Sequence, residues 1–98
     1  MDGQSGGANV FDDLFPQGQA KNLKIRSELM IRLRDFIREK GLTQEGASDR
    51  MDVSQSRISE LLNGKIGSFT IDALVMMCEA AGIPVELHLD DSYAEPDS

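Results

Sequence analysis

The sequence has 98 residues, of which 40% are hydrophobic and 28% charged, with one cysteine and a formal net charge of -7. This length allows one domain with a modest core, and a lone cysteine excludes an internal disulfide. Charges interrupt every hydrophobic segment, so no stretch reaches the roughly 18 to 20 apolar residues that a membrane span requires. Because the first eight residues also lack a basic region and an apolar region, we expect no secretory signal and a cytoplasmic protein.

The basic residues are confined to one part of the chain. All ten Lys and Arg lie between Lys21 and Lys65, a window that holds seven of the acidic residues and therefore carries a charge of +3. Affinity for DNA comes from neutralised phosphates, so this distribution matters more than the overall charge. The pattern predicts a mildly basic module with acidic ends that are either separate partner surfaces or simply solvated termini.

The two ends of the chain differ in composition from its middle. Residues 1–18 are rich in Gly, Gln, Ser and Asp, which predicts a flexible arm whose Val10–Phe15 segment provides the only apolar anchors. Residues 91–98 are acidic and contain Pro96, which predicts a disordered tail. The folded domain is therefore expected over residues 19–90.

The first helix is predicted from about Lys21 to Lys40. Its apolar residues recur at i, i+4, i+7 and i+8 on one face, with Met30 beside them: Leu29, Leu33, Phe36 and Ile37. Gly41 is expected to end this helix, because glycine adopts the left-handed conformation of a helix C-terminus at low cost.

Three further helices share one start signal, a Thr or Ser that can cap the first free N–H groups. Thr43 predicts a helix over Gln44–Met51, Ser54 one over Gln55–Asn63 and Thr70 one over Ile71–Ala81. Each cap is flanked by an apolar pair spaced as a hydrophobic staple, namely Leu42 with Ala47, Val53 with Ile58, and Phe69 with Leu74. Gly64 and Gly82 are expected to end the last two helices, and Cys78 is expected to be a small core residue.

The residues after Gly82 alternate in polarity. Val85, Leu87 and Leu89 share one face, while Glu86, His88 and Asp90 share the other, which predicts a half-buried strand over Ile83–Asp90. A strand needs a neighbour. The sequence leaves three choices open: the Val10–Phe15 segment, the same strand of a second copy, or the sheet edge of another protein.

The second and third predicted helices are joined only by Asp52, Val53 and Ser54, which is the length of the turn in a helix-turn-helix. An outward-facing helix start that carries Gln55, Ser56 and Arg57 suits the major groove, because Gln can pair with adenine and Arg with guanine. Helix N-termini and the Gly64 amide are expected to bind phosphates. The full set of expected DNA contacts is Thr43, Gln44, Ser54, Gln55, Ser56, Arg57, Ser59, Asn63 and Lys65.

Two alternatives accompany these assignments. Gln55 and Ser56 can be plain solvated surface, and Arg57 can pair with Glu60 one turn further along the same helix instead of contacting a base. His88, between Glu86 and Asp90, is expected to be a solvated strand residue and not a metal ligand. No phosphate-binding loop, dinucleotide turn or zinc pattern occurs in the sequence, so we expect no enzyme, no cofactor and no metal.

The run from Gly41 to Lys65 resembles the DNA-binding domain of the Xre family, the Cro and phage-repressor type. The resemblance rests on its Thr-Gln start, its Ser-Gln-Ser-Arg-Ile-Ser centre and its Asn-Gly-Lys end. It implies an all-α, lambda-repressor-like bundle of four to five helices with a short C-terminal β-strand. Two residues depart from the family pattern: Asp52 stands where glycine is usual in the turn, and Gly46 replaces a helix former.

With the flanking segments included, the chain is similar to compact antitoxins of the HigA kind. The resemblance implies a transcriptional regulator that binds an inverted repeat of double-stranded DNA as a homodimer. It also implies an antitoxin that represses its own operon and neutralises a RelE- or HigB-like toxin. The alternative from the charge of -7 is a protein-binding adaptor that keeps the fold without binding DNA.

Overall fold

A computed structural model describes residues 17–89 of the chain, which form four α-helices and one short 3₁₀ helix. The helices are α1 (Gln17–Lys40), α2 (Gln44–Met51), α3 (Gln55–Leu62) and α4 (Ile71–Ala81), with the 3₁₀ helix at Ile66–Ser68 between α3 and α4. This architecture confirms the predicted all-α bundle. The Val10–Phe15 segment and the acidic tail lie outside the described residues.

The three predicted caps are all formed. The hydroxyl oxygens of Thr43, Ser54 and Thr70 accept hydrogen bonds from the third N–H group of α2, α3 and α4, at 3.0, 3.2 and 3.2 Å. Each hydroxyl satisfies a donor that has no partner inside its own helix. These three helices therefore begin at the predicted residues.

Two helix boundaries differ from the prediction. Helix α1 begins at Gln17 and not near Lys21, so residues 17 and 18 of the predicted arm belong to the helix. Apolar periodicity marks only the part of a helix that packs on the core, and Met30 is the first buried apolar residue of α1. The first turns of α1 therefore carry no such signal. Helix α3 ends at Leu62, one residue early, and Asn63 is its C-cap.

All four helices end at a residue with positive φ, and three of the four are the expected glycines: Gly41, Gly64 and Gly82. After α1, the Gly41 N–H donates to Arg38 O at 3.1 Å and the Leu42 N–H donates to Ile37 O at 3.0 Å. This pair of bonds is a Schellman turn, and the same arrangement follows α3 and α4. The fourth residue is Asp52, whose φ is 58°.

The core forms where α1 packs against α4 and the 3₁₀ helix while α2 packs against α3 and α4. Fourteen buried residues form this single cluster, among them Cys78 and most of the predicted core face of α1, and the half-buried Leu29 of that face packs against it. Its most completely buried large side chains are Leu33, Met51, Ile58, Leu61, Phe69 and Leu74. The buried faces hold α2 and α3 in place and leave the start of α3 at the surface.

The predicted strand is not formed within the described residues: after Ile83, which is buried, residues 84–89 have no regular secondary structure. Leu87 is 83% exposed and Leu89 is 77% exposed. A strand is completed by hydrogen bonds to a neighbouring strand, and residues 17–89 supply none. No helix within those residues is long and apolar enough to cross a membrane.

Candidate DNA-binding site

The turn between α2 and α3 is held by bonds from its own backbone and from one side chain. The Val53 N–H donates to Ser48 O at 3.1 Å, and the Ser48 hydroxyl donates to Val53 O. Asp52 occupies the left-handed conformation that the family pattern assigns to glycine. This role of Ser48 was not predicted from the sequence. The only indication of it was the position of a polar residue on the half-buried side of α2.

Helix α3 presents its first turn to solvent. Ile58 and Leu61 are completely buried against the core, and this orientation leaves Gln55, Ser56 and Arg57 exposed. The Ser54 hydroxyl caps the helix through the Arg57 N–H and retains its own hydrogen as a donor. The structure therefore brings the three predicted base-contacting residues together at an open helix N-terminus, which is the geometry that fits the major groove.

Arg57 is engaged with three neighbours. Its Nη1 donates to Ser68 O at 2.5 Å and to Glu60 Oε1 at 3.2 Å, while its Cζ lies 5.0 Å from the centroid of the Phe69 ring. The pair with Glu60 is the alternative that the sequence left open. The contacts with Ser68 and Phe69 join α3 to the segment before α4, and no sequence pattern predicted them.

The end of α3 carries the remaining expected contacts. Asn63 is exposed and its Nδ2 donates to the half-buried Ser59 Oγ at 3.4 Å, while Lys65 is exposed. The Gly64 N–H donates to Leu61 O at 3.1 Å, so the prediction that this amide binds a phosphate is wrong. The Schellman turn uses the amide to satisfy a helix carbonyl.

The N-terminus of α2 lies at the surface, with Thr43, Gln44 and Glu45 exposed. The N–H groups of Gln44 and Glu45 have no intrahelical partner, because they belong to the first turn of the helix. Gly46 has a local reason: a Cβ added there would meet Thr43 Oγ1 at 3.3 Å, a tight contact with the capping hydroxyl. Replacing this departure from the family pattern with Ala would therefore crowd the cap.

Arg26 is a second residue that the sequence did not single out. It is 9% exposed, and its Nη1 donates to Ile66 O and to Phe69 O, both at 3.0 Å. Its Nε donates to Asn22 Oδ1 at 2.6 Å. Arg26 on α1 and Arg57 on α3 thus both bind the segment Ile66–Phe69 that leads into α4. No helical pattern identifies such a residue, since a buried arginine looks like surface charge in the sequence.

Titration and metal binding add little to this site. His88 Nε2 lies 3.0 Å from Glu86 Oε1, and both side chains are largely exposed. In the part of the chain that is described, no three His, Cys, Asp or Glu residues are placed to hold a metal ion. The Thr70 hydroxyl lowers the pKa of Asp72 in the first turn of α4, and burial raises the pKa of the Cys78 thiol.

Comparison with known proteins agrees with this geometry. The model of a family described as a helix-turn-helix domain matches residues 10–90. A solved structure of a provisionally assigned XRE family transcriptional regulator is 25% identical to the chain, with a TM-score of 0.70. That match covers 82% of this chain and 86% of the other. No curated protein sequence matches.

Proposed function

We propose that this chain, which belongs to the Xre family of helix-turn-helix transcriptional regulators, binds an inverted-repeat DNA site as a homodimer and represses transcription from it. The observation that carries the proposal is the exposed first turn of α3, which projects polar side chains beyond a fully buried Ile58 and Leu61. Two copies related by a two-fold axis would place two such turns in major grooves about one helical turn apart.

Gln55 and Ser56 are the side chains best placed to contact bases. Both are exposed at the start of α3, where the recognition helix of a helix-turn-helix meets base edges. The Gln55 amide can pair with N6 and N7 of adenine, and the Ser56 hydroxyl can donate or accept. Arg57 would have to release Ser68 O and Glu60 to reach a guanine, so its assignment as a base contact remains a prediction.

Phosphate contacts would come from the start of α2 and the end of α3. The free N–H groups at Gln44 and Glu45, the Gln44 amide and the Thr43 hydroxyl share one surface, where the helix dipole favours an anion. Lys65 and Asn63 are exposed beyond α3. Such contacts fix the register of the protein on the duplex and carry no sequence information of their own.

The test is fluorescence anisotropy of the full chain with DNA from upstream of its own gene, in a series of salt concentrations. Gln55→Ala is compared with Gln19→Ala, which changes an exposed glutamine outside the motif. We expect selective binding that weakens as salt rises, and a loss of about 5- to 150-fold for Gln55→Ala alone, the range for one bidentate base contact.

A second comparison separates phosphate contacts from base contacts. Lys65→Ala should weaken binding to all sequences similarly and reduce the salt slope by about one, whereas Lys24→Ala should leave both unchanged. Wild-type protein that shows no preference for its upstream DNA at low salt would contradict the proposal. That result would favour the adaptor alternative, in which the same fold binds protein.

We also propose a protein partner, a RelE- or HigB-like toxin, on the strength of the family resemblance and the charge distribution. Residues 1–16 and 90–98 contain acidic residues and no Lys or Arg, and together they account for the charge of -7. Such ends complement a basic protein without competing with DNA for the basic window. Co-expression with the product of a neighbouring gene, followed by co-purification, tests this; a monomeric or uncomplexed product at micromolar concentration contradicts it.

A further inference from the structure

The segment after α4 exposes apolar side chains that a folded domain normally covers. Val85 is 39% exposed, Leu87 83% and Leu89 77%, although they alternate with polar residues as in a half-buried strand. Glu86 and His88 lie 3.0 Å apart on one side of the segment, as alternate residues of a strand do. The segment therefore has the alternating sequence of a β-strand but no neighbouring strand within the described residues.

An apolar groove lies beside this segment. It has a volume of about 720 Å³, and its wall is formed by Val85–His88 on one side and by α1 and α4 on the other. The apolar side chains that α1 and α4 contribute are Ile25, Leu29, Ile71 and Val75. A strand added to the open edge would bring its own apolar side chains next to this groove.

We infer that the neighbour is the same segment of a second copy of this chain, paired antiparallel with Leu87 on the two-fold axis. The inference rests on the proposed homodimer and specifies its interface. The five residues Val85–Leu89 have a pattern that is the same in both directions: apolar, polar, apolar, polar, apolar. A two-fold interface requires such self-complementarity, because the same patch contributes both sides.

The polar residues fix the register. With Leu87 on the axis, Glu86 of each copy lies opposite His88 of the other, which gives two carboxylate–imidazole pairs, and Val85 lies opposite Leu89. Centring on Glu86 places two carboxylates opposite each other, and centring on His88 places two imidazoles opposite each other. A shift of one copy by one residue along the other sets apolar side chains opposite polar ones. The Leu87 register alone pairs both polar positions and keeps the apolar face continuous.

A cysteine scan tests the register directly. Single Cys substitutions are made at positions 85 to 89 of the full chain, and each variant is oxidised mildly and analysed without reductant. Residues directly opposite in an antiparallel pair have Cα atoms about 4.5 to 5.5 Å apart, within disulfide range, whereas residues displaced along the strand do not. We expect L87C to cross-link fastest, at least about tenfold faster than its neighbours. Fastest cross-linking of E86C or H88C would overturn the register.

A charge cycle gives an independent readout. H88E sets two carboxylates opposite each other, and E86K removes the carboxylate that pairs with the imidazole, so we expect each to raise the dimer dissociation constant several-fold in sedimentation equilibrium. The double variant E86K/H88E sets an ammonium group opposite a carboxylate and should restore the wild-type value to within about twofold. A double variant that is weaker than both single variants would contradict the pairing, since only the Leu87 register opposes position 86 to position 88.

The choice of interface is tested with Leu87→Asp and Met76→Asp, which both change exposed apolar residues. Circular dichroism confirms that each variant is folded. We expect Leu87→Asp to be monomeric and Met76→Asp to dimerise like the wild type; the opposite result would place the interface on α4 and overturn the inference. If Leu87→Asp dimerises and the wild type still binds its DNA selectively, the interface fails while the proposed function stands. If L87C cross-links but the wild type does not bind its DNA selectively, the interface stands while the proposed function fails.

Discussion

Arg57 and Phe69 form the contact that joins the recognition helix to the segment preceding α4. The Arg57 Cζ lies 5.0 Å from the centroid of the Phe69 ring, and the ring itself is 2% exposed. A cation above an aromatic face at a partly exposed site contributes about 0.5–1 kcal/mol, and the bond from Arg57 to Ser68 O adds to it. The orientation of α3 on the domain thus depends on a side chain that the sequence assigned to the DNA.

Arg57→Ala should therefore lower DNA affinity by a similar factor, about 3- to 10-fold, for the natural site and for variants with one base pair changed. The reason is that Arg57 holds α3 through its contacts with Ser68 and Phe69, so the substitution loosens the position of α3 whatever DNA sequence is bound. The measurement is anisotropy against a panel of single base-pair variants, with Gln55→Ala as the control that should lose discrimination at one position per half-site. Arg57→Ala that loses its preference at a single G·C pair would show that Arg57 reads a base, as the sequence predicted.

Arg26→Met should destabilise the domain by about 2–4 kcal/mol, because two carbonyl groups that accept from a charged donor lose their partner. The free energy of unfolding in urea measures this change. Arg34→Met, which replaces an exposed arginine on the same helix, should stay within about 0.5 kcal/mol of the wild type. Equal effects of the two substitutions would show that the buried hydrogen bonds of Arg26 contribute nothing.

The helices and their starts were predictable from the sequence because each depends on local chemistry. Thr43, Ser54 and Thr70 cap the helices that follow them, and a cap acts within three residues of its own position. The left-handed residues at the helix ends are equally local. The exposure of Gln55 followed from the burial pattern of α3 alone.

The contacts that were not predictable join residues distant in sequence. Arg26 reaches Phe69 across 43 positions, and Arg57 reaches Ser68 across 11. No sequence periodicity or motif marks either contact, because the partners come together only when the helices pack. The strand predicted after Gly82 was wrong for another reason. The residues alternate as in a strand, but a strand also needs a neighbouring strand to bond with, and residues 17–89 do not contain one.

Asp52→Gly should stabilise the protein by about 0.5–1 kcal/mol. Asp52 has a φ of 58°, a conformation that costs a residue with a Cβ about 1 kcal/mol or more, and glycine adopts it freely. The greater freedom of glycine in the unfolded chain offsets part of the gain. Urea unfolding of Asp52→Gly and Asp52→Ala should give changes of opposite sign. Stabilisation by both would mean that the removed carboxylate, and not the backbone, is responsible.

We expect the stability of the domain to fall at alkaline pH because of the Cys78 thiol. Cys78 is 1% exposed, and its pKa is raised because burial disfavours the thiolate. In the unfolded chain the thiol ionises near pH 8.5–9, so above that pH the unfolded state has released a proton that the folded state retains. The contribution of Cys78 to the free energy of unfolding is fully present below that pH and falls as pH rises, by up to about 1.4 kcal/mol per pH unit until the folded thiol also ionises.

Urea unfolding of the wild type and of Cys78→Ala between pH 7 and 10.5 measures this pH dependence. We expect the alanine variant to be the less stable protein at pH 7, because it leaves a cavity, and the difference to shrink above pH 9. A difference that stays constant over the whole range would show that the thiol ionises alike in both states.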